Sequence, residues 1–97
     1  MLHIINKSPY DRPALDSLLK TGEGAILLIE DGVYAAAKGG VAEAKIKAAQ
    51  SKFKVYALTP DLEARGIADR VLDGITLVDY AGFVDLVAEN KTCQSWL

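Results

Sequence analysis

The stretch that decides the fold is residues 54–66, KVYALTPDLEARG. Phe53–Leu58 is a short apolar run of the kind found in strands buried on both faces of a sheet. Thr59 is predicted to cap the helix that follows, Pro60 to occupy its first position, and Gly66 to close it in the left-handed conformation. These residues therefore predict a complete unit of strand, turn and helix.

The turn of this unit lies at the carboxyl end of the predicted strand. In open α/β sheets, ligands and reactive groups gather at this edge. Leu58, Thr59 and Pro60 supply no thiol, imidazole or lysine there. The sequence therefore predicts that this edge carries no nucleophile.

Composition and length favour a single globular domain. The chain has 97 residues, of which 51% are hydrophobic and 25% charged. A chain of this size buries roughly two thirds of its surface on folding, which leaves a small core that oligomerisation would reinforce. The net charge of −2, with both signs interspersed, offers no basic stripe to nucleic acid. We therefore expect a protein partner and no direct nucleic-acid binding.

The sequence shows no targeting or membrane signal. Residues 2–6 are too short an apolar run for a signal peptide, and no run approaches the ~20 apolar residues that a membrane helix needs. We therefore expect a cytoplasmic chain with no membrane association. Cys93 is the only cysteine, so it is predicted to be a free thiol in a reducing compartment, or an interchain one.

Apolar strand patterns alternate with helical ones along the chain. The strand candidates are residues 2–6, 25–30, 53–58 and 75–78, and the helical patterns are residues 11–20, 33–38, 41–50 and 80–90. Asp79 is predicted to cap the last helix. The buried side of that helix is predicted to consist of its large apolar residues, Phe83, Val84, Leu86 and Val87. Residues 93–97 are predicted to add an edge strand or to dock on a neighbour.

This alternation implies a parallel sheet with right-handed crossovers. We predict an α/β fold, a three-layer α/β/α sandwich around a mainly parallel sheet of four or five strands, in one domain that spans residues 1–97. The two glycine clusters, residues 21–24 and 39–40, fit neither a dinucleotide fingerprint nor a phosphate loop. They are interpreted as turns, and no cofactor is predicted.

Three polar residues are candidate site residues, each with a structural explanation. His3 is the only histidine, so it is interpreted as a structural residue of the first strand, and no metal site is predicted. Asp31 follows the second strand and is interpreted as a helix cap in preference to a residue that orients a substrate. Arg65 suits the negative end of its helix dipole, with an interface salt bridge as the second interpretation.

The end of the sequence carries the remaining candidates. Cys93 is the one residue with nucleophilic potential, but nothing in residues 91–97 is expected to lower its pKa, so it is a weak catalytic candidate. Trp96 and Leu97 are large apolar residues, and an exposed tryptophan would leave ~200 Å² of buriable surface unused. We therefore expect the tail to pack on the domain or on a partner.

Five sequence blocks in order resemble the DsrH/TusB family of the DsrE-like superfamily. They are LHIINKSP at 2–9, LLIEDGVYAA at 27–36, KVYALTPDLEARG at 54–66, VDYAGFVDL at 78–86 and QSWL at 94–97. The resemblance implies that the chain corresponds to the smallest subunit of the DsrEFH and TusBCD sulfur-relay complexes. It also implies a DsrE-like α/β/α fold. Asp31, Tyr34, Arg65, Trp96 and Leu97 are the candidates for a subunit interface.

The resemblance further implies a heterohexamer with DsrE/TusD-like and DsrF/TusC-like subunits, and a DsrC/TusE-like carrier that takes a persulfide from it. Such a relay ends in 2-thiolation of the wobble uridine of tRNA or feeds sulfur oxidation. The cysteines of related subunits correspond to Leu58 and Leu18 of this chain. Because both are aliphatic, we interpret the chain as a non-catalytic docking subunit. The alternatives are a standalone persulfide transferase that uses Cys93 and a homo-oligomeric scaffold without a sulfur role.

Overall fold

The computed structural model describes residues 1–8, 18, 20, 24–40 and 42–96. This part of the chain contains five strands: β1 Leu2–Ile5, β2 Gly24–Leu28, β3 Phe53–Leu58, β4 Thr76–Val78 and β5 Cys93–Trp96. All of them pair in parallel, in the order β4-β3-β2-β1-β5. The parallel sheet and the predicted edge strand at the end of the chain are therefore confirmed.

The helices lie between the strands, as the sequence pattern predicted. They are the 3-10 helices η1 Glu30–Ala36 and η2 Ala68–Arg70, and the α-helices α1 Glu43–Ala49, α2 Thr59–Ala64 and α3 Tyr80–Glu89. In the predicted first helix, Leu18 and Lys20 are helical. The rest of residues 11–20 lies outside the described residues.

The strand order explains why the two faces of the sheet are covered unequally. The chain steps from β1 to β4 in one direction and then returns past β1 to β5. With right-handed crossovers, the β2–β3 and β3–β4 connections lie on one face and α3, which connects β4 to β5, lies on the other. The larger core accordingly joins the sheet to η1, α1 and α2, and includes Val33, Ile46 and Leu62. The smaller core contains Leu2, Leu27 and Leu86 of α3, so the predicted three layers are present.

The alanine-rich segment differs from its prediction. Residues 33–38 were expected to form an α-helix, but the structure has a 3-10 helix that begins at Glu30. Gly32 explains the difference, because a Cβ atom at this position would lie 2.2 Å from the backbone oxygen of Ile5. The first turn of η1 therefore packs directly on the backbone at the end of β1, and this contact sets where the helix begins.

The turn after β3 also differs in one detail. Thr59 does not cap α2, since Leu58 is the N-cap residue, no side chain caps the helix, and Thr59 is already helical. The N-cap position falls on Leu58, the last residue of the strand, whose apolar side chain has no oxygen to accept a hydrogen bond. Pro60 lies in the first turn, where its missing N–H costs nothing. Gly66 has a φ of 68°, which confirms the left-handed closing residue.

Substitution of Gly66 by valine is expected to lower the free energy of unfolding by ~1 kcal/mol or more, because a β-branched residue is poorly tolerated at positive φ. A Cβ atom at Gly66 meets nothing within 4 Å, so backbone conformation alone carries the loss. Gly66→Asn is the matched control and is expected to lose less, since asparagine tolerates this conformation. Equal urea midpoints for the valine variant and the parent would contradict the turn assignment.

Helix α3 begins as predicted but buries less than predicted. Its cap is confirmed, since the Asp79 carboxylate accepts a hydrogen bond from the N–H of Gly82 at 2.8 Å. Leu86 is buried and Phe83 half-buried, but Val84 and Val87 remain 65% and 40% exposed. The helix rests on the sheet through Gly82, Phe83 and Leu86, which places the two valines on a different side of the helix.

Candidate functional site

The carboxyl ends of β1, β2 and β3 meet at one edge of the sheet, which is the edge that the sequence singled out. Because the strands are parallel neighbours, the segments that follow them lie close together. These segments carry Asn6 after β1, Glu30 and Asp31 after β2, and Asp61 and Arg65 on α2. We refer to Glu30, Asp31, Asp61 and Arg65 as the edge cluster.

Asp61 joins α2 to the end of β2. The backbone N–H of Glu30 donates to Oδ2 of Asp61 at 2.7 Å. Glu30 has a φ of 49°, in the left-handed region that residues other than glycine rarely occupy. The charge-assisted hydrogen bond offsets part of this backbone strain. Asp61 therefore holds the turn that directs the chain from β2 into η1.

Arg65 joins the same two segments through its guanidinium group. Both Nε and Nη2 lie 2.9 Å from Oδ1 of Asp31, and Nη1 donates to the backbone oxygen of Asp61 at 3.3 Å. The Arg65 side chain is 22% exposed and that of Asp31 is 55% exposed. A pair so open to solvent contributes at most ~1 kcal/mol to stability. Its main effect is to fix the position of an arginine and a carboxylate at the edge.

These contacts revise the interpretation of Asp31. The predicted helix-capping role is wrong, because Ile29 is the N-cap residue of η1 and no side chain caps that helix. Asp31 instead forms a salt bridge with Arg65 within the chain. The second interpretation of Arg65, a salt bridge across a subunit interface, stays a prediction. Arg65 is also the C-cap residue of α2, in agreement with its predicted place at the negative end of the helix dipole.

The remaining interface candidates are Tyr34, Trp96 and Leu97. Trp96 pairs with Ile5 at the end of β5, on the far side of β1 from β2. Its indole N–H donates to Nδ1 of His3 at 3.2 Å, and the ring packs against the larger core. Tyr34 is half-buried on η1 against that core. The prediction for Leu97 lies outside the described residues.

Cys93 lies at the opposite edge of the sheet. It is the first residue of β5 and pairs with Leu2, the first residue of β1. A strand rises about 3.3 Å per residue, so the three steps from Cys93 to Trp96 separate the two edges by about 10 Å. Cys93 is exposed. The thiol is therefore remote from the charged groups of the edge cluster.

The edge cluster has limited chemical capacity. It offers carboxylates and a guanidinium that are already paired with one another, and no nucleophile. Among the residues that the structure describes, no three His, Cys, Asp or Glu side chains are arranged to hold a metal ion. No described helix is long and apolar enough to cross a membrane. Such a cluster suits recognition of another molecule more than bond-breaking chemistry.

Comparison with known proteins identifies the family. The family described as "DsrH like protein" matches residues 7–93. The chain belongs to the DsrH family. It is 40% identical to the protein TusB of Pectobacterium parmentieri and 39% identical to TusB of Escherichia coli K12, with 99% of this chain and 100% of each relative covered. The resemblance drawn from the five sequence blocks is thereby confirmed.

Solved structures support the fold of this DsrH-family chain. The protein MTH1491 of Methanobacterium thermoautotrophicum superposes with a TM-score of 0.71 at 15% identity, covering 98% of this chain and 96% of its own. Protein Tm0979 of Thermotoga maritima gives 0.63 at 23% identity, with 95% and 97% covered. These similarities concern the fold alone, and they confirm the predicted DsrE-like architecture.

The two positions that the resemblance sets against cysteines of related subunits are buried leucines in the structure. Leu58 ends β3 and is 2% exposed, and Leu18 is fully buried in the larger core. Neither side chain has a reactive atom. The carboxyl edge of this DsrH-family chain thus combines a charged cluster with a thiol-free strand end.

Sequence reasoning missed two members of the edge cluster. Asp61 lies within the stretch that decided the fold and was assigned no role, although an acidic residue in the first turn of a helix was a usable signal. Glu30 gave no signal, since positive φ is the exception for glutamate. Its conformation follows from the approach of η1 to β1, which only the tertiary structure reveals.

Proposed function

We propose that this chain is a non-catalytic docking subunit of a heterohexameric sulfur-relay complex in the cytoplasm. The observation that carries the proposal is the separation of thiol and edge cluster. The only cysteine of the chain stands at the amino edge of the sheet, and the end of β3 carries buried Leu58. A sulfur-transferring thiol needs positive charge nearby to stabilise its thiolate. Arg65, the cation of the edge cluster, lies at the carboxyl edge, whereas Cys93 begins β5 at the amino edge.

The edge cluster supports recognition as the role of this edge. Arg65 is held by Asp31 and Asp61, so little side-chain entropy is lost when another protein binds beside it. Asp31 retains exposed surface on which a cation of a partner can act. Polar groups fixed in this way contribute specificity and association rate more than affinity.

Membership in the DsrH family supports the pathway. We propose as partners the DsrE/TusD-like and DsrF/TusC-like subunits, with two copies of each subunit in the complex, and a DsrC/TusE-like carrier that receives the persulfide. The 39–40% identity to proteins named TusB over the full chain favours the branch that ends in tRNA wobble-uridine thiolation over the branch of sulfur oxidation.

Co-expression of the tagged chain with the two homologous subunits tests the assembly. We expect one complex that contains all three chains in equal amounts, with a mass by light scattering that corresponds to two copies of each. The tagged chain expressed alone serves as the control. Elution of the chain apart from both subunits, as a monomer or as a homo-oligomer, would contradict the proposal and favour the scaffold alternative.

A further inference from the structure

Helix α3 leaves more apolar surface exposed to solvent than is expected of a helix on the surface of a monomer. Tyr80 and Val84 are 62% and 65% exposed, and Val87 is 40% exposed. These three residues are spaced i, i+4 and i+7, so they form one stripe along the helix. Ala81 and Ala88 are exposed beside it. We call these five residues the α3 patch.

The patch adds to the apolar side that already rests on the sheet. Gly82, Phe83 and Leu86 face the smaller core, and the α3 patch begins next to Phe83 around the helix. Apolar residues therefore surround most of α3, and only Asp85 and Glu89 interrupt them. A helix that is apolar on nearly all sides is typical of a buried position. The sequence of α3 thus fits a helix covered on a second side.

The sheet beneath α3 is also incompletely covered. On this face, Ile4, Tyr56 and Val78 are half-buried, although each packs at the border of the smaller core. The strand order explains this, since α3 is the described connection on this face, whereas the β2–β3 and β3–β4 connections lie on the opposite face. Partly covered strands and the α3 patch lie on the same side of the domain, so one partner can cover both.

Charge indicates which kind of partner fits. Asp85 and Glu89 are spaced i and i+4 on the flank of α3 beyond the patch, and α3 contains no basic residue. In a symmetric antiparallel pair of this chain, the same flank meets itself, which sets carboxylates opposite carboxylates. Like charges at a contact are unfavourable, whereas a basic flank on the partner would pair with them. The charges on α3 therefore argue against an antiparallel contact between the α3 helices of two copies.

We propose that the α3 patch is the binding surface for a helix from a homologous partner subunit. The apolar stripe of that helix is flanked by lysine or arginine. This inference rests on the proposed function and specifies the surface through which the chain assembles. Burial of the patch would remove Tyr80, Val84 and Val87 from water. Aromatic and aliphatic residues at the centre of an interface, with charges at its rim, are the arrangement typical of stable complexes.

The test compares recovery of the two homologous subunits with tagged full-length variants. Val84→Glu is expected to reduce their recovery at least tenfold. Ala44→Glu is the matched control, because it adds the same charge at an exposed helical position, on α1, which packs against the larger core on the opposite face. It is expected to recover the subunits like the parent. Both variants are expected to melt as the parent does, since both positions are exposed.

A second variant tests the charge argument. The double substitution Asp85→Lys and Glu89→Lys is expected to lower recovery at least fivefold at low salt and to have less effect at high salt. If the parent assembles and Val84→Glu recovers the subunits equally well, the α3 patch is not the binding surface, and the proposed function is unaffected. Failure of the parent to assemble would overturn both. Loss of a homodimer in Val84→Glu, with subunit recovery unchanged, would assign the patch to a second copy and contradict the inference.

Discussion

Replacement of Gly32 by alanine is expected to destabilise the domain by about 3 kcal/mol. The added Cβ would lie 2.2 Å from the backbone oxygen of Ile5 and 2.9 Å from its carbonyl carbon. The same oxygen accepts a hydrogen bond from the N–H of Ile29 at 3.0 Å. Relief of the clash therefore requires movement of backbone at the end of β1, and overpacking of this kind typically costs 1–3 kcal/mol or more.

Gly40→Ala provides the matched control for this substitution. Its Cβ would meet the backbone oxygen of Ala37 at 3.2 Å, a tight contact in a turn that is free to adjust. We expect a loss below about 1 kcal/mol. Urea unfolding followed by circular dichroism measures both variants. Similar midpoints for the two would show that η1 does not pack on β1 as closely as the structure has it.

Replacement of Trp96 by alanine is expected to lower the free energy of unfolding by about 2 kcal/mol. Full burial of an aromatic side chain typically contributes 3–5 kcal/mol in such substitutions, and Trp96 is only half-buried on an edge strand. It packs against the larger core and donates to Nδ1 of His3 at 3.2 Å. Deletion of residues 95–97 is expected to cost at least as much, because it also removes part of β5.

Trp96→Phe separates the two contributions. Phenylalanine keeps most of the packing but has no indole N–H, so we expect a loss of about 1 kcal/mol, the usual net value of one hydrogen bond. Thermal melts and size-exclusion profiles, of the chain alone and with the homologous subunits, measure these effects. Unchanged melting and oligomer size for both Trp96→Ala and the truncated chain would show that the tail is dispensable.

Much of the fold was predictable because its signals are local. The apolar run Phe53–Leu58, the closing Gly66 and the cap at Asp79 each act within a few residues of their own position. The alternation of strands and helices along the chain then predicted a parallel sheet, since parallel strands need crossover connections that are usually helical. The five strands were located from the sequence to within two residues at each end, whereas the helix predicted at residues 33–38 begins three residues earlier, at Glu30.

The edge cluster was less predictable because its contacts are distant in sequence. Asp31 and Arg65 lie 34 positions apart, and Glu30 and Asp61 lie 31 apart. Each residue has a common local explanation, such as a cap or a dipole partner, which spacing alone cannot exclude. The conformation of η1 likewise depends on the approach of Gly32 to β1. Tertiary contacts therefore override the helical propensity of the alanine-rich segment.

Helix α3 shows a different limit of sequence patterns. Its large apolar residues predicted one buried side, but Val84 and Val87 lie outside the contact with the sheet. Apolar periodicity reports every surface that a helix buries, including those buried by other subunits. When the apolar stripe of a helix is wider than the side that packs on the monomer core, the excess apolar surface indicates an interface with another subunit.

The most direct test of the docking-subunit account is persulfide transfer from a sulfur donor, through the reconstituted three-subunit complex, to the carrier protein. The parent chain is compared with Cys93→Ser, which contains no cysteine, and with a preparation that lacks the chain. We expect Cys93→Ser to support transfer within about twofold of the parent, and omission of the chain to reduce it at least tenfold. A loss with Cys93→Ser as large as that caused by omission, in a complex that still assembles, would contradict the account and favour a transferase that uses Cys93.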